Sequence, residues 1–315
     1  MTMATQSAMG ATGCGWPQAH SDAKAMAKLV LATQEETSLE CLSVPFCMTV
    51  EAEALGCTID MGKEDVLPHV SSEALRGPVD LASLPGFDPL RSGRCPAVLE
   101  AIGILQAANL PYPVIGAVVG PVSLAAMVME AGQFLRLTRR DPQMAEALVS
   151  RMADVTLAFA LAQHAAGADC IMIAEPTATG EVLGGEHFSR LARPALCLIL
   201  RALREAHIPT IMHICGDLRP LIGELQELMR TAGGPLAISV DAMVSGRTLR
   251  EGVPSCVAVG NVDAVLLERG APATVEQVAR RAAREFQVVS PACGIVPATP
   301  AANLRALVRS VADKR

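Results

Sequence analysis

One imidazole and two thiols, His213, Cys215 and Cys293, constrain the fold of this chain more than any other feature. In Thr210-Ile211-Met212-His213-Ile214-Cys215-Gly216-Asp217 the side chains at i and i+2 leave the same face of an extended segment, so one metal ion can reach both. Cys293 lies 78 positions further on, just past the apolar run Val288-Val289-Ser290-Pro291. Its sulfur can join the other two only if distant strand ends meet in a closed or tightly wound sheet. Nitrogen with two sulfurs selects zinc over oxygen-loving cations, and three protein ligands leave a fourth position open for chemistry. The competing reading is that these are ordinary buried residues, since the chain has ten Cys and Cys is often buried.

Such a sheet is what the rest of the sequence spells. Short β-branched runs alternate with amphipathic stretches, the pattern of parallel β/α units. Strands are predicted at Pro113 to Val119, Cys170 to Ala174, Thr210 to Ile214, Leu236 to Val240, Cys256 to Val259 and Val288 to Pro291. Two more, near Cys41 to Pro45 and within Thr58 to Leu67, would make eight. Helices are predicted at Pro121 to Leu137, Pro142 to Ala166, Glu186 to Ala206, Leu218 to Ala232, Thr274 to Glu285 and Pro300 to Ala312, several with Pro near the first turn. The expected architecture is a single α/β domain over residues 1–315: a (β/α)8 TIM barrel with an N-terminal extension and a capping insertion, the Pro- and Gly-rich segment Asp60 to Arg94. Glu175, His213, Cys215, Asp241, Asn261, Asp263 and Cys293 all follow strands, where such a barrel keeps its active site. A doubly wound sheet is the alternative, but Gly10 to Gly15 neither follows a strand nor directly opens a helix, so no dinucleotide fingerprint is present.

Composition removes several function classes. The net charge of -6, with one Trp, one Tyr and six Phe, offers nucleic acid neither a basic stripe nor stacking aromatics. The uncharged stretch Val114 to Met129 is broken by Gly116, Gly120 and Pro121, which argues against a membrane span. Met1 to Gly15 lacks the basic start and apolar run of a secretory signal, and ten scattered Cys suit a reducing compartment, so a cytoplasmic protein is expected.

Longer blocks carry a family resemblance. His213-Ile214-Cys215-Gly216-Asp217, Ala174-Glu175-Pro176-Thr177-Ala178-Thr179-Gly180-Glu181, Cys293-Gly294-Ile295-Val296-Pro297-Ala298-Thr299-Pro300 and the earlier Pro17-Gln18-Ala19-His20 and Pro45 to Gly56 resemble the zinc-dependent methylcobamide:coenzyme M methyltransferases of the uroporphyrinogen decarboxylase superfamily. The resemblance implies a (β/α)8 barrel with zinc on His213, Cys215 and Cys293, methylcobamide as methyl donor, a methylated corrinoid protein as partner, and a small thiol, coenzyme M first, as acceptor. It implies a replaceable carboxylate at Asp241, where the family has Glu; Gln18 likewise replaces a family Glu. Glu175 is expected to contact substrate or support the site. Gly180, in a Gly-containing loop before a helix, and His20, in its family-like block, are expected to help hold the substrates, although Gly180 read alone equally suits a tight strand-to-helix turn. Three other functions compete. One is a corrinoid- or folate-dependent homocysteine methyltransferase. Another is porphyrinogen decarboxylation, which explains neither His213-x-Cys215 nor Cys293. The third is a non-catalytic corrinoid-protein partner whose structural zinc takes a fourth ligand from Cys256 or Cys170.

Overall fold

The computed structural model describes residues 4–63, 65–76 and 80–312. Among the described residues nine strands form in chain order: β1 (Leu42–Val44), β2 (Thr58–Asp60), β3 (His69–Ser72), β4 (Val114–Val119), β5 (Cys170–Ala174), β6 (Thr210–Ile214), β7 (Ala237–Val240), β8 (Val257–Val262) and β9 (Val288–Pro291). Seven make one all-parallel curled sheet in the order β1-β4-β5-β6-β7-β8-β9. Helices fill its crossovers, as parallel pairing requires. The six strands expected from Pro113 onward are present within a few residues of their expected ends.

The expected eighth strand departs from that picture. Thr58–Asp60 pairs antiparallel with β3 in a separate two-stranded hairpin, within the irregular capping segment. Among the described residues, β1 and β9 share no hydrogen-bonded register, so the ring has a seam between them. Both ends of the described chain pack there. The helix Ala301–Ala312 lies against the helix Ala23–Thr37, and Arg305 Nη1 donates to Glu36 O at 2.8 Å.

Two helical stretches are interrupted for identifiable reasons. The one expected from Pro121 to Leu137 divides into Pro121–Val128 and Ala131–Arg140. There Leu75 of the capping segment donates its N–H to Val128 O, and Glu130 caps the second piece through Gly132 N and Gln133 N. The other, Gly184 to Glu205, contains a π turn over Phe188–Ala192 just before Pro194, whose missing N–H leaves a carbonyl one turn back without its helical donor. No helix among the described residues is long and apolar enough to cross a membrane.

Candidate metal centre

His213, near the end of β6, is 1% exposed and its ring is held from both sides. Nδ1 lies 3.0 Å from Ser239 Oγ, on the residue paired with His213 across β6 and β7. That contact turns Nε2 toward the site, 3.2 Å from Cys215 Sγ. Cys293, two residues past β9, brings its Sγ to 3.9 Å from Cys215 Sγ. The three ligand atoms lie within 4.8 Å of one another. Zn–S bonds of about 2.3 Å at tetrahedral angles put two sulfurs about 3.8 Å apart, so this donor set fits zinc. The electrostatics agree. A hydrogen bond between the two thiols, aided by His213, draws the Cys293 thiol well below the ordinary range, while the same bond and burial push Cys215 up.

The loop carrying Cys215 is pinned by carboxylates from its neighbours. Asp241 Oδ2 accepts from Gly216 N at 3.1 Å, and Glu181 Oε1 accepts from Asp217 N at 2.8 Å. Gly216 has φ +69°, and a Cβ there would meet Glu181 Oε2 at 2.8 Å, so both the turn and the carboxylate require glycine. Gly180 makes a close approach to the same loop: its Cβ would lie 2.5 Å from Asp217 O. Asn261 Nδ2 donates to Asp241 O and Val244 O and fixes the loop after β7.

Of the sequence-derived candidates, His213, Cys215 and Cys293 converge. Asp241 stands beside them, engaged with Gly216 N and Ala242 N. Glu175 does not join the cluster. Fully buried, it turns toward the start of the helix Pro121–Val128, where it accepts from Val122 N, Ser123 N and Ser123 Oγ. Burial pushes its carboxyl up to about 7 against those donors. Room for it exists because Gly120 has no Cβ, which would otherwise lie 2.2 Å from Glu175 Cγ. His20 is buried against Trp16, ring centroids 4.8 Å apart, and neither ring nitrogen has a hydrogen-bond partner. Burial and the nearby Arg94 charge lower its pKa to about 3, so the ring is neutral.

Around His20 lies a clamp that the sequence does not announce. Arg94, 6% exposed, donates Nη1 to His20 O and toward Cys47 Sγ, Nη2 to Thr49 Oγ1, and Nε to Glu53. It thereby fixes the segment Pro45 to Thr49 after β1. That segment forms one wall of a cavity of about 310 Å³ whose other wall is Cys293 to Val296. Glu51 also lines it, with Oε1 accepting from Val119 N at 2.7 Å and burial raising its carboxyl to about 7.

The family model described as Uroporphyrinogen decarboxylase (URO-D) matches residues 1–313. The chain is 35% identical to methylcobamide:CoM methyltransferase MtbA of Methanosarcina acetivorans, over 97% of this chain and 89% of that protein. It is 32% identical to methylcobamide:CoM methyltransferase MtaA of Methanosarcina barkeri, over 95% of this chain and 87% of that one. A solved methyltransferase from Methanosarcina mazei superposes with a TM-score of 0.91 at 29% identity, covering 99% of this chain and 93% of its own. The chain thus belongs to the uroporphyrinogen decarboxylase family and, within it, groups with the methylcobamide:CoM methyltransferases.

Proposed function

We propose that this protein, as one catalytic unit over residues 1–315, transfers a methyl group from a methylated corrinoid to a small thiol. Coenzyme M, the acceptor in its relatives' names, is the first choice. The observation that carries this reading is the convergence of His213 Nε2, Cys215 Sγ and Cys293 Sγ at the C-terminal ends of the strands. Zinc held there would keep the acceptor sulfur as a thiolate at neutral pH, where a free thiol is mostly protonated.

The chain's own residues prepare the transfer. Cys215 and Cys293 bring negative charge, so an added sulfur stays electron-rich. Ser239 fixes the orientation of His213 from behind, as the partner of a metal-ligating imidazole does. Asp241, held on Gly216 N beside the cluster, would supply a replaceable carboxylate next to a bound metal. Glu175 is a positioning residue, holding the helix Pro121–Val128 against the loop after β5 through Ser123, whose Oγ accepts from Thr177 N. Gly180 and Glu181 hold the loop bearing Cys215, and His20 and Arg94 support the wall of the cavity beside Cys293. In the reaction the S–CH3 bond forms as the Co–CH3 bond breaks, and both electrons of that bond remain on cobalt.

A methylated corrinoid protein is the partner we assign to the mouth of the barrel. Support comes from large apolar side chains exposed after successive strands, including Met243 at 61% and Val265 at 57%. A cytoplasmic setting suits ten cysteines that are all free thiols. The test incubates purified protein with methylcob(III)alamin and coenzyme M, following loss of the methyl–cobalt absorption together with zinc content. One zinc per chain and zinc-dependent demethylation are expected, with Cys293→Ala losing both. Full zinc retention by Cys293→Ala, or equal demethylation by metal-free protein, would refute the assignment.

A further inference from the structure

Two carboxyls are buried near the mouth of the barrel, and they differ in how far their hydrogen-bonding capacity is used. Glu175 and Glu51 are 0% and 1% exposed, and burial raises both to about 7. Glu175 is saturated. Val122 N, Ser123 N, Ser123 Oγ and Ala178 N donate to it, matching the about four acceptor sites of a carboxylate. Glu51 receives Val119 N and its own N–H, and no other donor among the described residues. About two acceptor sites therefore remain on a carboxyl already removed from bulk water.

Glu51 and Cys293 line the same mouth cavity. Phe46, Met48, Leu67, Val118 and Ile295 make much of the remaining wall apolar. Among the described residues Glu51 is the only carboxyl in that wall, and no Lys, Arg or His contributes to it. A thiol seated against Cys293 has to lose its proton before it can attack, because only the thiolate is a strong nucleophile. The charged and titratable neighbours of Glu51 leave that task to it. Arg94 lowers its pKa, but its own N–H groups are committed to Glu53, Thr49, Cys47 and the His20 carbonyl. Cys95, which opens the helix Cys95–Ala107, is pushed up by burial and then by the charges of Glu51 and Glu53, so it stays a thiol. Glu175 lies beyond Gly120, held by its own donors.

We propose that Glu51 is the proton acceptor for the incoming thiol. The S–H proton moves to its carboxylate, and the electron pair of that bond stays on the sulfur as it joins His213, Cys215 and Cys293. The inference rests on the methyl-transfer reading. A thiolate in an apolar cavity disfavours a second negative charge, so Glu51 keeps the proton while the sulfur remains anionic. Methylation turns the sulfur into a neutral thioether and removes that restraint. Glu51 then returns the proton to water, so each turnover takes one proton from the thiol and releases one. A carboxyl held at about 7 suits both halves of this exchange at neutral pH.

The test counts protons. Calorimetry of 2-mercaptoethanesulfonate binding to the zinc-loaded protein, in two buffers of different ionisation enthalpy, gives the number released per thiol bound. At about pH 6 Glu51 is already protonated and about one proton should be released, whereas at about pH 8 Glu51 takes it up and almost none should be. Glu51→Gln, which retains an oxygen for Val119 N, should release about one at both. At about pH 8 the variant should also lower kcat/KM for the thiol about tenfold or more, and it should lose the rise through about pH 7 that ionisation of Glu51 gives the parent. Infrared difference spectra of the parent at the higher pH need no variant: thiol binding should convert one carboxylate to a carboxylic acid. Release of one proton at both pH values by the parent, an unchanged proton count in Glu51→Gln, or no new carboxylic acid band would each overturn the assignment while leaving methyl transfer standing. The expected proton counts without transfer from methylcob(III)alamin would keep Glu51 as the acceptor and sink the methyl-transfer reading, so the two failures are distinguishable.

Discussion

Replacing Glu51 with Gln isolates the energetic consequence of burying a carboxyl beside the mouth cavity. Gln retains an oxygen for Val119 N, which donates to Glu51 Oε1 at 2.7 Å, and removes only the ionisation. Burial raises this carboxyl from 4.5 to about 7, with Val119 N and the Arg94 charge opposing the change. Between those two pH values the folded protein binds a proton that the unfolded chain has released. The associated stability is fully present below about pH 4.5 and is lost as pH rises through about 7. At about 1.36 kcal/mol per pH unit, the span corresponds to about 3 kcal/mol. Glu175 and His20 titrate abnormally too, but they do so in parent and variant alike and cancel in the difference. Urea unfolding of both proteins at pH 5 and pH 8 is the assay. Relative to the parent, Glu51→Gln should gain about 2–3 kcal/mol on going from pH 5 to pH 8. A difference between the two proteins that stays constant with pH would show that Glu51 ionises normally and refute the reasoning.

Ser239→Ala should weaken metal binding by about 10–100-fold, because His213 Nδ1 loses the contact that orients it; competition with a chelator measures this, and unchanged affinity would remove Ser239 from the site. Asp241→Asn should keep the metal yet alter thiol affinity or rate, since His213, Cys215 and Cys293 are the stronger proposed ligands; loss of metal comparable to that in Cys293→Ala would make Asp241 a permanent ligand. Gly180→Ala should displace the loop that carries Cys215, because the added Cβ would sit 2.5 Å from Asp217 O; about tenfold slower transfer with zinc retained is expected, and wild-type kinetics would refute the close approach.

The convergence of His213, Cys215 and Cys293 was legible because two of them share one face of an extended segment and the third follows another apolar run. Strand and helix periodicity located β4 to β9 for the same local reasons. What escaped depends on pairing. Thr58-Ile59-Asp60 reads as a strand in either setting, and only its antiparallel partner His69–Ser72 shows that it lies outside the ring. Ser239 becomes meaningful through its register with His213, which no local pattern encodes. Glu175 looks like a mouth residue by position, and a glycine 55 residues earlier, Gly120, lets it turn into the protein. Arg94 lies in a segment legible only as an irregular cap, yet it gathers two distant pieces of chain, His20 and the stretch from Thr49 to Glu53.

The wide separation of His213 and Cys215 from Cys293, the proposed ligands, would have a consequence during synthesis. His213 and Cys215 emerge from the ribosome together, but Cys293 follows 78 residues later. At about 5–20 residues per second the interval is about 4–16 s. For that time the nascent protein offers one imidazole and one thiol, a pair that any soft ion samples and releases. The proposed site would become a tight one only when β9 docks beside β8 and brings in the last sulfur. Which metal is retained would then be decided by what the cell supplies to the nearly completed barrel, rather than by which ion met the first two proposed ligands. Metal retention in this design doubles as a report that the ninth strand has found its place.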